Sequence, residues 1–487
     1  MESRMERAKA VLQKERKKRL EQGHPWVYAS EIARMDGESS PGDLVDVVNH
    51  QGRYLATGYW NPKSQLTVRI VSYKPLQAMD EAYFRERFQQ CKLHRERFVA
   101  GNDCRLVYGE ADFLPGLIVD RFGGVLVVQL LTLGMDIHRE SIVNALIHVF
   151  APTGIYERSD VSVRELEGLE ERTGVLFGEC PAIVDIRENG LLMEVDIAEG
   201  QKTGYFYDQR ENRASIAPLM TGWGFRSGIS LVERSAAEMS EEAGKGGTTE
   251  SDLYAGDDTG ALEALKSTVR VPVNANGKIV TFPYWDGANV LECFAHTGSF
   301  TLHACQYGAK KVTCLDVSEH AIETARRNVA RNGFEDRVEF VVADAFDYLR
   351  TQAKGLDERA ERGKSGSGKI DTSKPLSGTG RTWDVVILDP PAFAKSKGAV
   401  PSAVRGYKDI NLHGMKLVNE GGYLVTASCS YHMRPDLFLE TIQAAAVDAG
   451  KTLRLIEWRA AGKDHPQILG VSEGHYLKFG IFEVRNR

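Results

Sequence analysis

The chain has 487 residues, 42% hydrophobic and 26% charged, with a formal net charge of −6, a composition of soluble globular proteins at a length that exceeds one core and predicts two or three domains. No apolar run approaches the roughly 20 residues that span a bilayer, and the basic stretch Met1 to Leu20 lacks the apolar centre of a signal peptide, which predicts a cytoplasmic protein with no membrane partner. The seven cysteines are scattered, with no C-x-x-C pair, which argues against a disulfide framework or a metal site.

Residues 1–75 read as a small β-rich module. Leu44 to Val48 alternates, a turn follows at Asn49 to Gly52, and Tyr54 to Gly58 and Leu66 to Ile70 are strand-like. Arg4, Arg7, Lys9, Lys14, Arg16, Lys17, Lys18 and Arg19 lead into it. Residues 76–210 mix helix and strand: a helix is predicted over Asp80 to Val99, and strands near Ile118, Val125 to Leu131 and Leu191 to Ile197. A second basic patch, Arg85, Arg87, Lys92, His94, Arg95 and Arg97, is interleaved with Phe84, Phe88 and Phe98. Both patches suit phosphate contacts, and a solvated helix face explains them equally well.

Residues 211–487 alternate strand and helix from Ala288 onward, which predicts a doubly wound α/β sheet. Two polar, low-complexity stretches, 228–278 and 351–382, are expected to be mobile surface insertions. The stretch 228–286 holds ten acidic residues against five basic ones, so nearly all the net charge sits there and the rest is close to neutral.

In such a sheet the chemistry sits beyond the carboxyl ends of the strands. Glu292 to Phe300 turns from strand to helix through Gly298, where the backbone can approach a ligand closely. Asp316 ends the next strand, where a carboxylate can accept both hydroxyls of a ribose. Asp344 ends the third and can meet an adenine amine. A single glycine departs from G-x-G-x-x-G, so S-adenosylmethionine is the better-placed cofactor. On the fourth strand, Asp389-Pro390-Pro391 stops the ladder and holds a rigid acid that can hydrogen-bond a nucleobase. Cys429, between Ser428 and Ser430, ends the fifth strand beside it. Methylating carbon 5 of a pyrimidine needs a nucleophile at carbon 6, which a thiolate provides, so Cys429 and Asp389 are the candidate catalytic pair.

The chain resembles the large-subunit (23S) ribosomal RNA cytosine-5 methyltransferases that carry an N-terminal PUA module, a mixed α+β middle domain and a Rossmann-like methyltransferase domain. The likeness runs through His24-Pro25-Trp26-Val27-Tyr28, Gly116 to Gly123, Arg158-Ser159-Asp160 and Lys202 to Arg210. It continues through Asp389-Pro390-Pro391, Arg405 to Asn411, Ser428-Cys429-Ser430, Asp464-His465-Pro466 and Glu473 to Lys478. The resemblance implies that Phe294, Thr297, Gly298, Asp316, Asp344 and Asp389 line the cofactor and base pocket. It also implies that Asp208, Gln209 and Arg210 border the methionine end, with Arg210 paired to its carboxylate. The implied partner is 23S rRNA presenting an unpaired or flipped cytosine; a homodimer is one arrangement open to the chain. Two-cysteine RNA methyltransferases carry a second cysteine after the fourth-strand proline, and this chain has none, so the base that removes the carbon 5 proton stays open. Lys408 and Asn411 mark either an RNA contact or a helix start. Two rivals remain: methylation of an exocyclic amine, with Cys429 inert, and a non-catalytic RNA-binding or ribosome-assembly protein.

Overall fold

The computed structural model describes residues 7–220, 230–235, 268–273, 276–279, 287–364 and 377–487. Three sheets organise most of them. The first has six strands in the order 26–27, 68–72, 54–60, 44–48, 9–12, 32–36. Its hairpin turn is built as the sequence implies: Asn49 Oδ1 accepts the N–H groups of Gln51 and Arg53 at 3.0 and 2.9 Å, and Gly52 takes φ 81°. The strand Lys9–Leu12 lies inside the stretch read only as basic, and pairs with two neighbours. Arg4 lies outside the described residues.

The second sheet has five strands, in the order 172–178, 154–159, 125–130, 117–122, 105–108. The helix Glu81–Phe98, capped by Asp80, packs on it. Here the expected aromatic interleaving of the basic patch is corrected. Phe84 and Phe88 are core residues, and Arg95 is buried in a two-pronged pair with Asp112 at 2.7 and 2.7 Å. Burying rings along one stripe of the helix turns the remaining cations outward, where Arg85 meets Glu81 and Lys92 meets Glu96.

The third sheet is the one whose strand ends carry Asp316, Asp389 and Cys429. Its strands are β1 (Asn289–Cys293), β2 (Lys311–Asp316), β3 (Val338–Val342), β4 (Trp383–Leu388), β5 (Val418–Ser428), β6 (Lys451–Arg459) and β7 (Lys478–Asn486). They lie in the order β3-β2-β1-β4-β5-β7-β6, with β1 to β5 parallel and β7 antiparallel to both neighbours. The helices are α1 (Ser299–Gln306), α2 (Glu319–Arg331), α3 (Ala345–Lys364), α4 (Val400–Lys416) and α5 (Pro435–Asp448). Strand β4 is buried throughout because alternate residues feed opposite cores. Trp383, Val386 and Leu388 pack with Tyr407 and Phe438, whereas Val385 and Ile387 pack with Phe300 and Phe479.

The two expected insertions are partly corrected. Residues 230–235 and 268–273 form an antiparallel ribbon, and the segment between them lies outside the described residues. In 351–382, α3 continues to Lys364 and buries Ala353, because its charged residues are good helix formers. Thr379 returns to it, its N–H and hydroxyl both donating to Gln352 Oε1 at 3.1 and 2.7 Å. Among the described residues no helix is long and apolar enough to cross a membrane, and no cluster of His, Cys, Asp or Glu could hold a metal ion.

Candidate active site

The turn after β1 is the most contorted stretch near the rim. Phe294, His296 and Gly298 all have positive φ, at 64°, 49° and 79°. Hydrogen bonds hold it: Ala295 N–H donates to Leu315 O at 2.9 Å and His296 N–H to Asp316 Oδ2 at 2.8 Å. At Gly298 a Cβ would lie 3.0 Å from that of Ala325 on α2, so glycine is needed for space as well as conformation. Beneath the turn, Glu292 is fully buried and accepts the Thr301 N–H at 2.7 Å as well as the Thr301 hydroxyl. Burial pushes its carboxyl up to about 8, with Asp389 and Asp316 adding to the effect.

Asp316 is half-buried at the end of β2 and already receives two backbone N–H groups, from His296 and Ser318, which orient its carboxylate. Its remaining lone pairs can meet a ribose. Thr297 is half-buried and its carbonyl accepts Asn328 Nδ2 at 3.2 Å. Asp344 is exposed and caps α3, accepting the Asp347 N–H at 3.1 Å. Of the apolar lining, the sequence reading named Phe294 and missed Phe346, Phe393, Val317 and Val342. Phe294, Phe346 and Phe393 form a three-ring wall with centroids 5.7 to 6.5 Å apart. Val317 and Val342, just past β2 and at the end of β3, are 69% and 52% exposed. A flat adenine is the kind of group such a surface covers. Nothing local in the sequence marks Val317 and Val342, since single exposed apolar residues are common on protein surfaces. The turn, Asp316 and these rings suit the adenosine part of S-adenosylmethionine.

The opposite half of the rim holds Asp389 and Cys429, delivered by adjacent parallel strands as the sequence predicts. Asp389 Oδ1 accepts Gln209 Nε2 at 2.8 Å, and Gln209 is itself aimed by Asn212, whose Oδ1 accepts Arg459 Nε. Burial raises the Asp389 carboxyl to about 7, Asp208 pushes the same way, and Arg213, Gln209 and Lys202 oppose. Asp208 is buried, accepts the Tyr476 hydroxyl at 2.5 Å and lies 3.7 Å from Lys202 Nζ. Despite burial, Lys202, His465 and Tyr476 hold its carboxyl well below the usual range.

Cys429 is half-buried, its Sγ 3.8 Å from Pro390 O. The flanking serines fix its backbone. Ser428 Oγ and Ser430 Oγ each lie 3.0 Å from the Tyr407 hydroxyl on α4, and Ser430 Oγ also accepts the Ala394 N–H at 3.0 Å. Burial pushes the thiol up to about 11, with Lys202 and Lys478 pulling it down and Asp389 and Asp208 pushing it up. These lysines are the nearby cations that were not visible in the sequence.

One expectation is not met. Arg210 does not face the pocket. It is buried, donates to Ala100 O at 2.6 Å and to Asp103 O, and lies 3.7 Å from Glu188, so it ties the start of the helix at 210–215 to the middle segment. Lys408 and Asn411 sit inside α4. Lys408 pairs with Asp448 at 2.7 Å, and Asn411 is buried and donates to Tyr407 O at 2.7 Å.

Comparison with known proteins adds to this geometry. The PUA-like domain family matches residues 10–73, and a methyltransferase domain family matches residues 290–357. The chain is 35% identical over 474 residues to the ribosomal RNA large subunit methyltransferase I of Shigella boydii serotype 18, covering 96% of this chain and 97% of that protein. The protein of that name from Escherichia coli O139:H28 matches with the same identity and coverage. Among solved structures, a candidate SAM-dependent methyltransferase from Streptococcus mutans shares the fold, with TM-score 0.66 at 18% identity over 98% of this chain and 99% of that one.

Proposed function

The chain belongs to the ribosomal RNA large subunit methyltransferase I family and depends on S-adenosylmethionine; from that premise we propose that it methylates carbon 5 of an unpaired cytosine in 23S rRNA through a covalent adduct on Cys429. The observation that carries this reading is the pairing on one rim of a half-buried cysteine, whose flanking serines are hydrogen-bonded to Tyr407, with an acid whose carboxyl is pushed up to about 7.

When bound, S-adenosylmethionine supplies an electrophilic methyl group. The Phe294 to Gly298 turn, Asp316 and the three phenylalanines would hold its adenosine, and Asp208 and Gln209 border the far end. Cys429 as thiolate forms the bond to carbon 6, and the electron pair displaced from the ring makes carbon 5 nucleophilic. Asp389, carrying its proton for much of the time near neutral pH, donates to N3 where negative charge develops. After methyl transfer the carbon 5 proton is lost to a base, the sulfur–carbon bond breaks, and its electron pair returns to sulfur. Because stacked bases hide carbon 6, the cytosine must leave its helix.

RNA carrying 5-fluorocytosine at the target should trap the wild-type enzyme as a covalent complex that survives denaturing electrophoresis, because fluorine blocks the final elimination. Cys429→Ala should form none and should bind S-adenosylmethionine as wild type does. Methyl transfer by Cys429→Ala within about tenfold of wild type, only about 1.4 kcal/mol of barrier, would remove the covalent mechanism and favour an exocyclic amine as acceptor.

A further inference from the structure

Strand β7 is antiparallel to β5, and its first residue, Lys478, stands opposite Ser428, one position from Cys429. Lys478 is 1% exposed. Its Nζ donates to two backbone carbonyls, Ser430 O at 2.6 Å and Tyr476 O at 2.7 Å. No carboxylate lies within salt-bridge reach of it among the described residues. A buried ammonium with no counter-ion is costly and is kept only where something offsets it. Both carbonyls it holds border the active site: one belongs to the residue after Cys429, the other to the tyrosine that bonds Asp208.

We propose that Lys478 is a positioning residue of this reaction, acting through Cys429: its amine takes the thiol proton and then stays beside the sulfur as the counter-charge of the thiolate. The inference rests on Cys429 being the nucleophile. The balance is simple. The S–H bond breaks, the proton joins the lone pair of Nζ, and the S–H electron pair remains on sulfur to form the bond to carbon 6. A neutral amine has two N–H groups and one lone pair; the two carbonyls account for both N–H groups, so the lone pair is the position left for the proton. Burial lowers Lys478 to about 8, with Cys429 opposing, so a minority of the amine is free at neutral pH; the thiol at about 11 holds its proton the more tightly, so the thiolate–ammonium pair is a minor state that bond formation to carbon 6 draws off. The other charges facing the thiol are Lys202 and Asp208, from the segment before the catalytic sheet, and Asp389 on the β4 rim. Lys202 is half-exposed, already pairs with Asp208 and lies over the Phe206 ring at 4.5 Å, which leaves it poorly placed to be a dedicated proton acceptor.

The test uses the full-length enzyme without RNA or cofactor. Alkylation of Cys429 by iodoacetamide, read on its own peptide by mass spectrometry, should show its pH midpoint rise by about one unit or more in Lys478→Met, equivalent to about tenfold less thiolate at a given pH. Lys478→Arg, a permanent cation, should bring the midpoint back to or below that of wild type. An unchanged midpoint in a folded Lys478→Met protein overturns the proposal. Should that variant fail to fold, the coupling is read from the other side: the Lys478 amine, followed by NMR, should titrate at lower pH in Cys429→Ala than in wild type, because linked groups shift each other reciprocally. No shift there overturns it equally. If wild type forms the fluorocytosine adduct while both titrations stay uncoupled, only the role of Lys478 falls. If no adduct forms, the nucleophile reading itself falls.

Discussion

Two buried groups of charges lie close together and are built on opposite principles. In and beside the middle segment two buried carboxylates are matched by guanidinium groups. Glu188 accepts two bonds from Arg213 at 2.6 and 2.9 Å. Asp120 accepts Arg105 twice at 2.8 Å and the Thr203 hydroxyl at 2.6 Å. At the corner that holds Cys429 two groups lack an opposite charge as hydrogen-bond partner: Lys478 has only carbonyls and Asp389 has a neutral amide. Matched charges keep their protons fixed and act as cement. Mismatched ones leave protons movable near neutral pH, which is where chemistry is found.

The contrast can be broken at either end. The largest effect is expected at the corner, where Asp389→Asn should lower kcat by roughly 10²- to 10⁴-fold. Its stability should move the other way. Between about pH 3.8 and 7 the folded chain holds a proton at this site that the unfolded chain has lost, so wild-type stability falls as pH rises through that window. The variant should therefore gain in melting temperature over wild type at pH 8 and not at pH 4. In the matched group the expected loss is of stability: Glu188→Gln strands two buried guanidinium groups and should cost on the order of 3–5 kcal/mol in denaturant melts.

Glu292→Gln sharpens the comparison, since Glu292 is buried like the matched carboxylates but lacks a cationic partner. Its extra folded-state proton spans about pH 4.5 to 8, so the variant should be more stable than wild type at pH 9 and similar near pH 4. The smallest effect concerns surface charge. Lys14, Lys17 and Lys18 are exposed in the first module; replacing all three by alanine should weaken RNA binding modestly and reduce its slope against log salt by about two to three. An unchanged slope would place the RNA elsewhere.

What the sequence made legible follows the range of the interactions. β1 to β5 announce themselves by apolar runs ending in Gly, Asp or Cys, so Asp316, Asp389 and Cys429 could be placed on one rim from local pattern alone. Lys478 could not be, because its proximity to Cys429 is a matter of antiparallel register between segments some fifty residues apart. Arg210 was misassigned for a related reason: it lies beside Asp208 and Gln209 in sequence, but the turn into the helix at 210–215 points it at the middle domain. The interleaved phenylalanines of the first long helix misled because a basic stripe and a core stripe share one helix at different angles.

The placement of β7 bears on how the protein is made. Strand β7 is synthesised after both β5 and β6, yet lies between them. Strand β6 pairs with β7 alone, so until residues 478–486 arrive the edge of β5 stays open and β6 has no partner in the sheet, and open edges are where nascent chains pair wrongly with one another. The same event closes the sheet and brings Lys478 to Cys429. A partly made chain thus carries an open edge and lacks the amine beside Cys429, so on the proposed mechanism the thiol is primed only when the sheet around it is shut.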